Sequence, residues 1–186
     1  MNTTKFNVQL STNSIENAIK ELQKIRKTYI KMMNEDFVLE SLEWIKERAE
    51  KYHIERNYKF PNSANINKNW HIKKVYKSKN EIYYQLINDN KLVAYIEFGT
   101  GLAGQFNPHK EAKNQGYEYD KNAHGYEGWS FYNEEIGIYF KNFIGYEGQS
   151  FLYDAFWDYF HNEEEWHKIY DKVYARYMGV NKELNC

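Results

Sequence analysis

The sequence predicts an α+β fold: N-terminal helices, an antiparallel β-meander sheet plus a hairpin in the middle, and a long C-terminal helix packed on the sheet. Three observations carry this. Apolar residues recur every three or four positions near both ends of the chain; they alternate with polar residues through the middle; and the alternating segments are joined by short turns rich in Asn, Asp and Gly. At 186 residues the chain reads as one domain over 1–186, long enough to bury roughly two-thirds of its unfolded surface without staples.

Phe6 to Leu10 alternates and predicts a short first strand. Asn13 with Glu16 has the form of a helix start, the amide capping and the carboxylate reaching back. Ile15, Ile19, Leu22, Ile25, Tyr29 and Met32 then follow helical spacing, opposite a solvated face of Glu16, Lys20, Lys24, Lys27 and Lys31. Phe37, Val38, Leu42, Ile45 and Ala49 continue the period. The polar trio Asn34-Glu35-Asp36 between the two sets is read as ending one helix and starting another, with a single long helix as the alternative. Residues 57–69, rich in Asn and holding Pro61, predict a loop.

The period then changes to two. Trp70, Ile72 and Tyr76 alternate with His71, Lys73 and Lys77, and Glu81–Ile87 and Leu92–Phe98 are read as the next two strands, with Asn88-Asp89-Asn90 as a tight turn. Gly-Thr-Gly at 99–101 ends the third strand, since glycine reaches positive φ without the steric cost of a Cβ. Leu102 to Gly128 shows no helical or strand period and is read as a long loop insertion at about 102–128. Trp129–Tyr132 and Ile138–Ile144 predict a hairpin. An internal echo, Gly125-Tyr-Glu-Gly128 answered by Gly145-Tyr-Glu-Gly148, reads as two glycine turns bounding elements. Ser150 is placed to cap the last helix, in which Phe151, Leu152, Ala155, Phe156 and Tyr159, then Ile169, Tyr170, Val173, Tyr174 and Tyr177, keep the helical period across an acidic interruption at 162–165.

Composition narrows the function. A formal net charge of −1 and a pI near 6.6 argue against a protein whose main task is gripping phosphate backbones. The single cysteine, Cys186, is the last residue, which leaves no disulfide framework or cysteine zinc site. Met1 to Lys5 lacks a signal pattern, and no apolar run approaches the ~18 residues of a membrane span. Aromatic residues make up 18% of the chain, with 18 tyrosines, which suits an aromatic core or large contact surfaces. Lys68, Lys73, Lys74, Lys77 and Lys79 on the meander read first as guards of a sheet edge. The alternative is a nucleic-acid-binding module in which these lysines and stacked aromatics hold a strand.

The catalytic search yields little. Gly99-Thr-Gly101-Leu-Ala-Gly104 formally matches a dinucleotide fingerprint, but Gln105-Phe-Asn-Pro108 carries no helical period, so no helix N-terminus is expected to face a phosphate. Glu97 with Glu118 or Asp120 can be drawn as an acid/base pair, although a carboxylate in an apolar segment more often accepts backbone hydrogen bonds. His161 and His167 flank Glu163-Glu164-Glu165 without the i, i+4 histidine spacing of a helical metal site. No catalytic residue, cofactor or metal is expected, and the chain is read as not an enzyme.

The segment Tyr95-Ile96-Glu97-Phe98-Gly99-Thr100-Gly101 resembles the E-F-G-T-G signature of the tail-completion, or head-to-tail joining, proteins of the tailed-bacteriophage neck. Gln149-Ser150-Phe151-Leu152-Tyr153-Asp154-Ala155 is similar to that family's Q-P-F-L-x-x-A entry into its final helix, with Ser150 where the family has Pro. The resemblance implies a virion structural protein made in the host bacterial cytoplasm. It implies a homo-oligomeric ring, commonly of six copies, between the head-closure or connector proteins and the tail terminator or tube proteins. DNA would pass through the ring without specific binding, and no membrane is involved. Tyr95, Glu97, Phe98, Gly99, Thr100, Gly101, Phe151, Leu152 and Ala155 are then the structural and assembly motif. In such a ring the 102–128 loop is expected to be a contact arm, mobile in the free subunit and ordered on assembly.

Overall fold

A computed structural model describes residues 12–56, 66, 68–78, 81–90, 92–119, 127–134 and 137–178. The strand expected at 6–10, most of the loop at 57–69 and the first half of the first glycine echo lie outside them. Helix α1 spans Thr12–Lys31 and α2 spans Val38–Glu55, with a wide π-helical turn, Met32–Phe37, between them. The break expected at the polar trio is thus not found, and the alternative, one continuous helical stretch, is. The polar trio does not break it, because its charges are matched there by other elements. Glu35 pairs with Lys74 at 3.1 Å, and Asp36 accepts a hydrogen bond from the Tyr177 hydroxyl at 2.6 Å.

Strands β1 (Trp70–Ser78) and β2 (Glu81–Asn88) pair antiparallel, with Trp70 opposite Asn88 and Lys73 opposite Gln85. The expected third strand is instead helix α3, Leu92–Phe98, so this sheet has two strands. Asn90 explains the difference. Its side-chain oxygen accepts the Leu92 amide at 2.9 Å, while its own amide donates to the Asn88 side chain at 2.9 Å. Asn88-Asp-Asn90 is therefore a capping turn that starts a helix, not a hairpin turn. The buried face of α3, Ile96 and Glu97 with half-buried Leu92 and Val93, follows the 3.6 period. The long loop is also corrected in its first part: Gly101–Phe106 form helix α4.

Strands β3 (Trp129–Asn133) and β4 (Ile138–Phe143) make the predicted hairpin, with Phe131 stacked on Phe140, ring centroids 4.9 Å apart. The C-terminal helical segment is α5 (Phe151–His161) and α6 (Glu163–Met178). They part at Asn162, whose side chain accepts the Glu165 amide at 3.2 Å. The acidic interruption is thus the first turn of α6, where carboxylates favour the helix dipole.

The core gathers Met32, Leu42, Ile45 and Ala49 from the first helical stretch, Ile96 from α3, Phe151 and Ala155 from α5, and Ile169 and Val173 from α6. Helices α2 and α5 are its central pair. Across them the Ser41 and Tyr159 hydroxyls meet at 2.6 Å and Arg48 pairs with Asp158 at 2.9 Å. The β1–β2 sheet joins this core through half-buried Trp70, Ile72, Tyr84 and Leu86, with Trp70 set edge-on to Phe151 at 6.5 Å. Among the described residues no helix is long and apolar enough to cross a membrane.

Candidate functional site

The site begins with the end of α3. A helix leaves its last carbonyls without intrahelical partners, and here other segments supply each one. The Ile96 carbonyl accepts the Gln149 amide at 2.7 Å and the Glu97 carbonyl the Ser150 amide at 3.1 Å. The Phe98 carbonyl accepts the Tyr119 hydroxyl at 3.1 Å and the Gly99 carbonyl the Tyr117 hydroxyl at 2.6 Å. Gly99, at φ +87°, is the left-handed residue that ends the helix, its amide reaching back to the Tyr95 carbonyl at 2.9 Å.

Gly99 and the second glycine echo seat in one another. A Cβ on Gly99 would lie 2.6 Å from both the Gly148 nitrogen and the Tyr146 oxygen; one on Gly145 would lie 2.0 Å from the Thr100 oxygen. Thr100 fastens the contact, its amide donating to the Tyr146 carbonyl at 2.8 Å and its hydroxyl oxygen accepting the Tyr146 amide at 3.1 Å. Gly99 also forms an isolated antiparallel bridge to Glu147.

Glu97 joins this corner to α5. One carboxylate oxygen accepts the Leu152 amide at 2.9 Å; the other accepts the Tyr153 amide at 2.8 Å and faces His109 Nε2 at 3.1 Å. Three donors converge on an acceptor-only group, which a carboxylate matches and an amide does not. Ser150 does occupy the N-cap position of α5, but it sits in the left-handed region, φ 51°, and its side chain makes no capping bond. The cap expected from Ser150 is supplied by Glu97 instead. At that φ a proline, whose ring fixes φ near −65°, could not stand at 150.

His109, 7% exposed, accepts the Glu111 amide on Nδ1 at 3.0 Å, which puts the ring proton on Nε2, directed at Glu97. Its ring lies edge-on to Phe98 (4.6 Å) and Tyr153 (5.3 Å), and Phe98 is stacked on Tyr117 at 4.7 Å. Burial, helped by the neighbouring Tyr95 and Tyr119 hydroxyls, pushes the Tyr117 phenol up to about 12, so it remains a donor to Gly99. Beside the pair is an open recess of about 530 Å³, walled by Val93, Ala94, Phe98, Leu152 and Phe156.

Of the motif residues, Glu97, Phe98, Gly99, Thr100 and Gly101 form the corner, Leu152 is bound through its amide, and Phe151 and Ala155 are fully buried below it. Tyr95 is the exposed member of the set, 47% accessible, and reaches the site only as a neighbour of the Tyr117 phenol. Glu118 does not face Glu97 in a hydrogen bond, and Asp120 lies outside the described residues. His109, Tyr117 and Tyr119 complete the site without having been singled out, together with Gly145 and Gly148 of the second glycine echo. The glycine echo was visible in the sequence; nothing there marked His109.

The dinucleotide fingerprint needs correction in its grounds. A helix does begin at Gly101, but a helix precedes it in place of a strand, and two amides of the turn are already engaged: Thr100 donates to the Tyr146 carbonyl and Ala103 to the Ile144 carbonyl at 3.0 Å. Elsewhere, Glu164 and Glu165 pair with Lys168 at 2.9 and 3.0 Å, and His161 Nδ1 lies 2.8 Å from the Trp157 carbonyl. Among the described residues no three His, Cys, Asp or Glu side chains are grouped to hold a metal ion. Lys74, one of the meander lysines, is engaged with Glu35 and lies over the Tyr84 ring at 5.7 Å.

Comparison with protein-family models, with curated proteins and with solved structures finds no match.

Proposed function

We propose that the chain is a structural protein of the tailed-phage neck, acting in tail completion or head-to-tail joining as a homo-oligomeric ring around the DNA channel. One observation carries the reading. The two stretches that bear the resemblance, 95–101 and 149–155, lie far apart in sequence yet form one unit, in which Glu97 of the first caps the helix begun by the second. A shared motif in both stretches then has a single physical purpose. The Glu97–His109 pair is spent on that purpose, both its carboxylate oxygens and both ring nitrogens being engaged, which supports a scaffold over a catalyst.

In this reading head-closure or connector proteins lie on one side and tail terminator or tube proteins on the other. Near-neutral charge lets DNA slide through. Exposed Trp157, Phe160 and Tyr139 offer aromatic contact area for neighbours. The test is electron microscopy of a phage lysate carrying an amber mutation in this gene. Filled heads and finished tails that stay separate, and that join when the purified chain is added, are the expected result. Normal virions in the amber lysate would remove the proposal.

A further inference from the structure

Helix α1 has no extensive contact with any described element except the π-helical turn that continues it. Each described side chain from Asn13 to Lys31 is exposed, among them Ile15 (46%), Leu22 (65%), Ile25 (62%) and Tyr29 (52%). A lone helix of this length is marginal in water, and an apolar stripe along it calls for a partner. Ile15, Ala18, Leu22, Ile25, Tyr29 and Met32 step alternately by three and four, the a and d positions of successive heptads. Met32 is buried in the core. The seam therefore emerges from the body of the protein and runs outward for about 25 Å.

Charge selects the occupant. In the same frame Glu21 falls at g and Arg26 at e, while Lys20 and Lys27 (f) and Lys24 and Lys31 (c) point away from the seam. In parallel helices a g residue lies beside the e residue five positions on in the neighbour, so Glu21 of one copy meets Arg26 of the next. Antiparallel helices would set g against g and e against e, acid with acid and base with base. We propose that α1 is the self-association element of this protein: it lies parallel along α1 of a second copy, with Leu22 and Ile25 central in the seam and Glu21 paired with Arg26 across it. A parallel, in-register contact relates the copies by rotation about one axis along the helices, and forms a closed cyclic oligomer where that rotation closes. The inference goes beyond the neck reading and does not rest on it, since it concerns how copies meet wherever they work.

Sedimentation equilibrium on the full chain tests it. The parent chain should associate in the micromolar range, Leu22→Glu should weaken association by at least ~100-fold, and Glu21→Arg or Arg26→Glu alone by about tenfold. An equimolar mixture of the two charge variants, which restores opposite charges across the seam, should recover association to within about threefold of the parent. Because these side chains are exposed, thermal unfolding of the body should be unchanged in all three variants. A parent chain that stays monomeric at about 100 µM overturns the proposal, as does a mixture no tighter than its components. Binding of a monomeric parent to phosphatidylserine vesicles, lost in Leu22→Glu, would assign the stripe to a membrane surface and overturn it too. Self-association as described alongside normal virions from the amber lysate would sink the neck reading alone.

Discussion

Glu97 makes its three contacts from a single buried position, and the chemistry of its replacement can be read from them. Glu97→Gln keeps the size but turns one acceptor oxygen into a donor, setting N–H against N–H at the start of α5. Loss of about 3 kcal/mol in urea unfolding is expected, no better than Glu97→Ala. His109→Ala leaves the two α5 amides satisfied and should cost less, about 1–2 kcal/mol. A larger loss in His109→Ala than in Glu97→Gln would contradict the assignment of Glu97 as the cap. Gly99 offers a second contrast. Gly99→Val meets both a positive φ and backbone atoms at 2.6 Å, whereas a Cβ on Gly116, at φ +64°, meets nothing within 4 Å. Gly116→Ala should cost only about 1 kcal/mol of backbone strain, and Gly99→Val clearly more, as should Gly101→Val, whose Cβ would lie 2.6 Å from the Ile144 oxygen.

At the scale of elements, α5 starts from a left-handed residue that gains nothing from its side chain. Ser150→Gly should therefore stabilise the protein by about 1 kcal/mol, and Ser150→Pro should destabilise it by about 3 kcal/mol or more, both measured by chemical unfolding. The α2–α6 contact carries a pH dependence. Partial burial pushes the Glu40 carboxyl up, but Lys172 at 2.7 Å and Arg176 at 2.5 Å outweigh it and hold the group below the usual carboxylate range. A carboxylate with a lower pKa folded than unfolded adds stability that is fully present above the unfolded value and lost as pH falls through the folded one. The pair Lys172→Ala with Arg176→Ala should thus be about 0.5–1 kcal/mol less stable than the parent near pH 7. That gap should begin to narrow as pH falls below the ordinary glutamate value of about 4.3 and close once pH has fallen through the lowered folded value, where Glu40 is protonated in both proteins. Residues 107–119, part of the 102–128 loop expected to be mobile in the free subunit, are tied down by His109, Tyr117 and Tyr119. Amide exchange on the unassembled chain should show protection at Tyr117, whose amide donates to the Ala112 carbonyl at 2.8 Å.

For the molecule as a whole, what could be read from the sequence follows the range of the forces involved. The α+β class, the hairpin at 129–143 and the helical period at both ends were legible because each is set by neighbours three or four residues away, or by alternation. The stretch 92–98 was not, since Asn90 serves equally as a turn residue and as a helix cap and a segment of seven residues, six of them apolar, carries too little period to decide. The motif at 95–101 stood out, but its role did not: the groups that Glu97 satisfies, at 109 and 152–153, are brought to it only by the completed fold. Heptad spacing in α1 was present from the start, while the fact that nothing within the described chain covers it emerged only with the packing.

The pairing of α2 with α5 and α6 also fixes when the protein can exist during its own synthesis. Ser41 waits for Tyr159, Arg48 for Asp158 and Trp44 for Glu165, separations of 118, 110 and 121 residues. Contacts of such range slow folding, because a long loop must close before they return any stability. Until α5 has left the ribosome, Ile45 and Ala49 lack the Phe151 and Ala155 side of their core, and the nascent chain carries a partly open apolar helix face. The ribosome-bound chain should therefore depend on chaperone cover until α5 and α6 have emerged, and become protease-resistant only then.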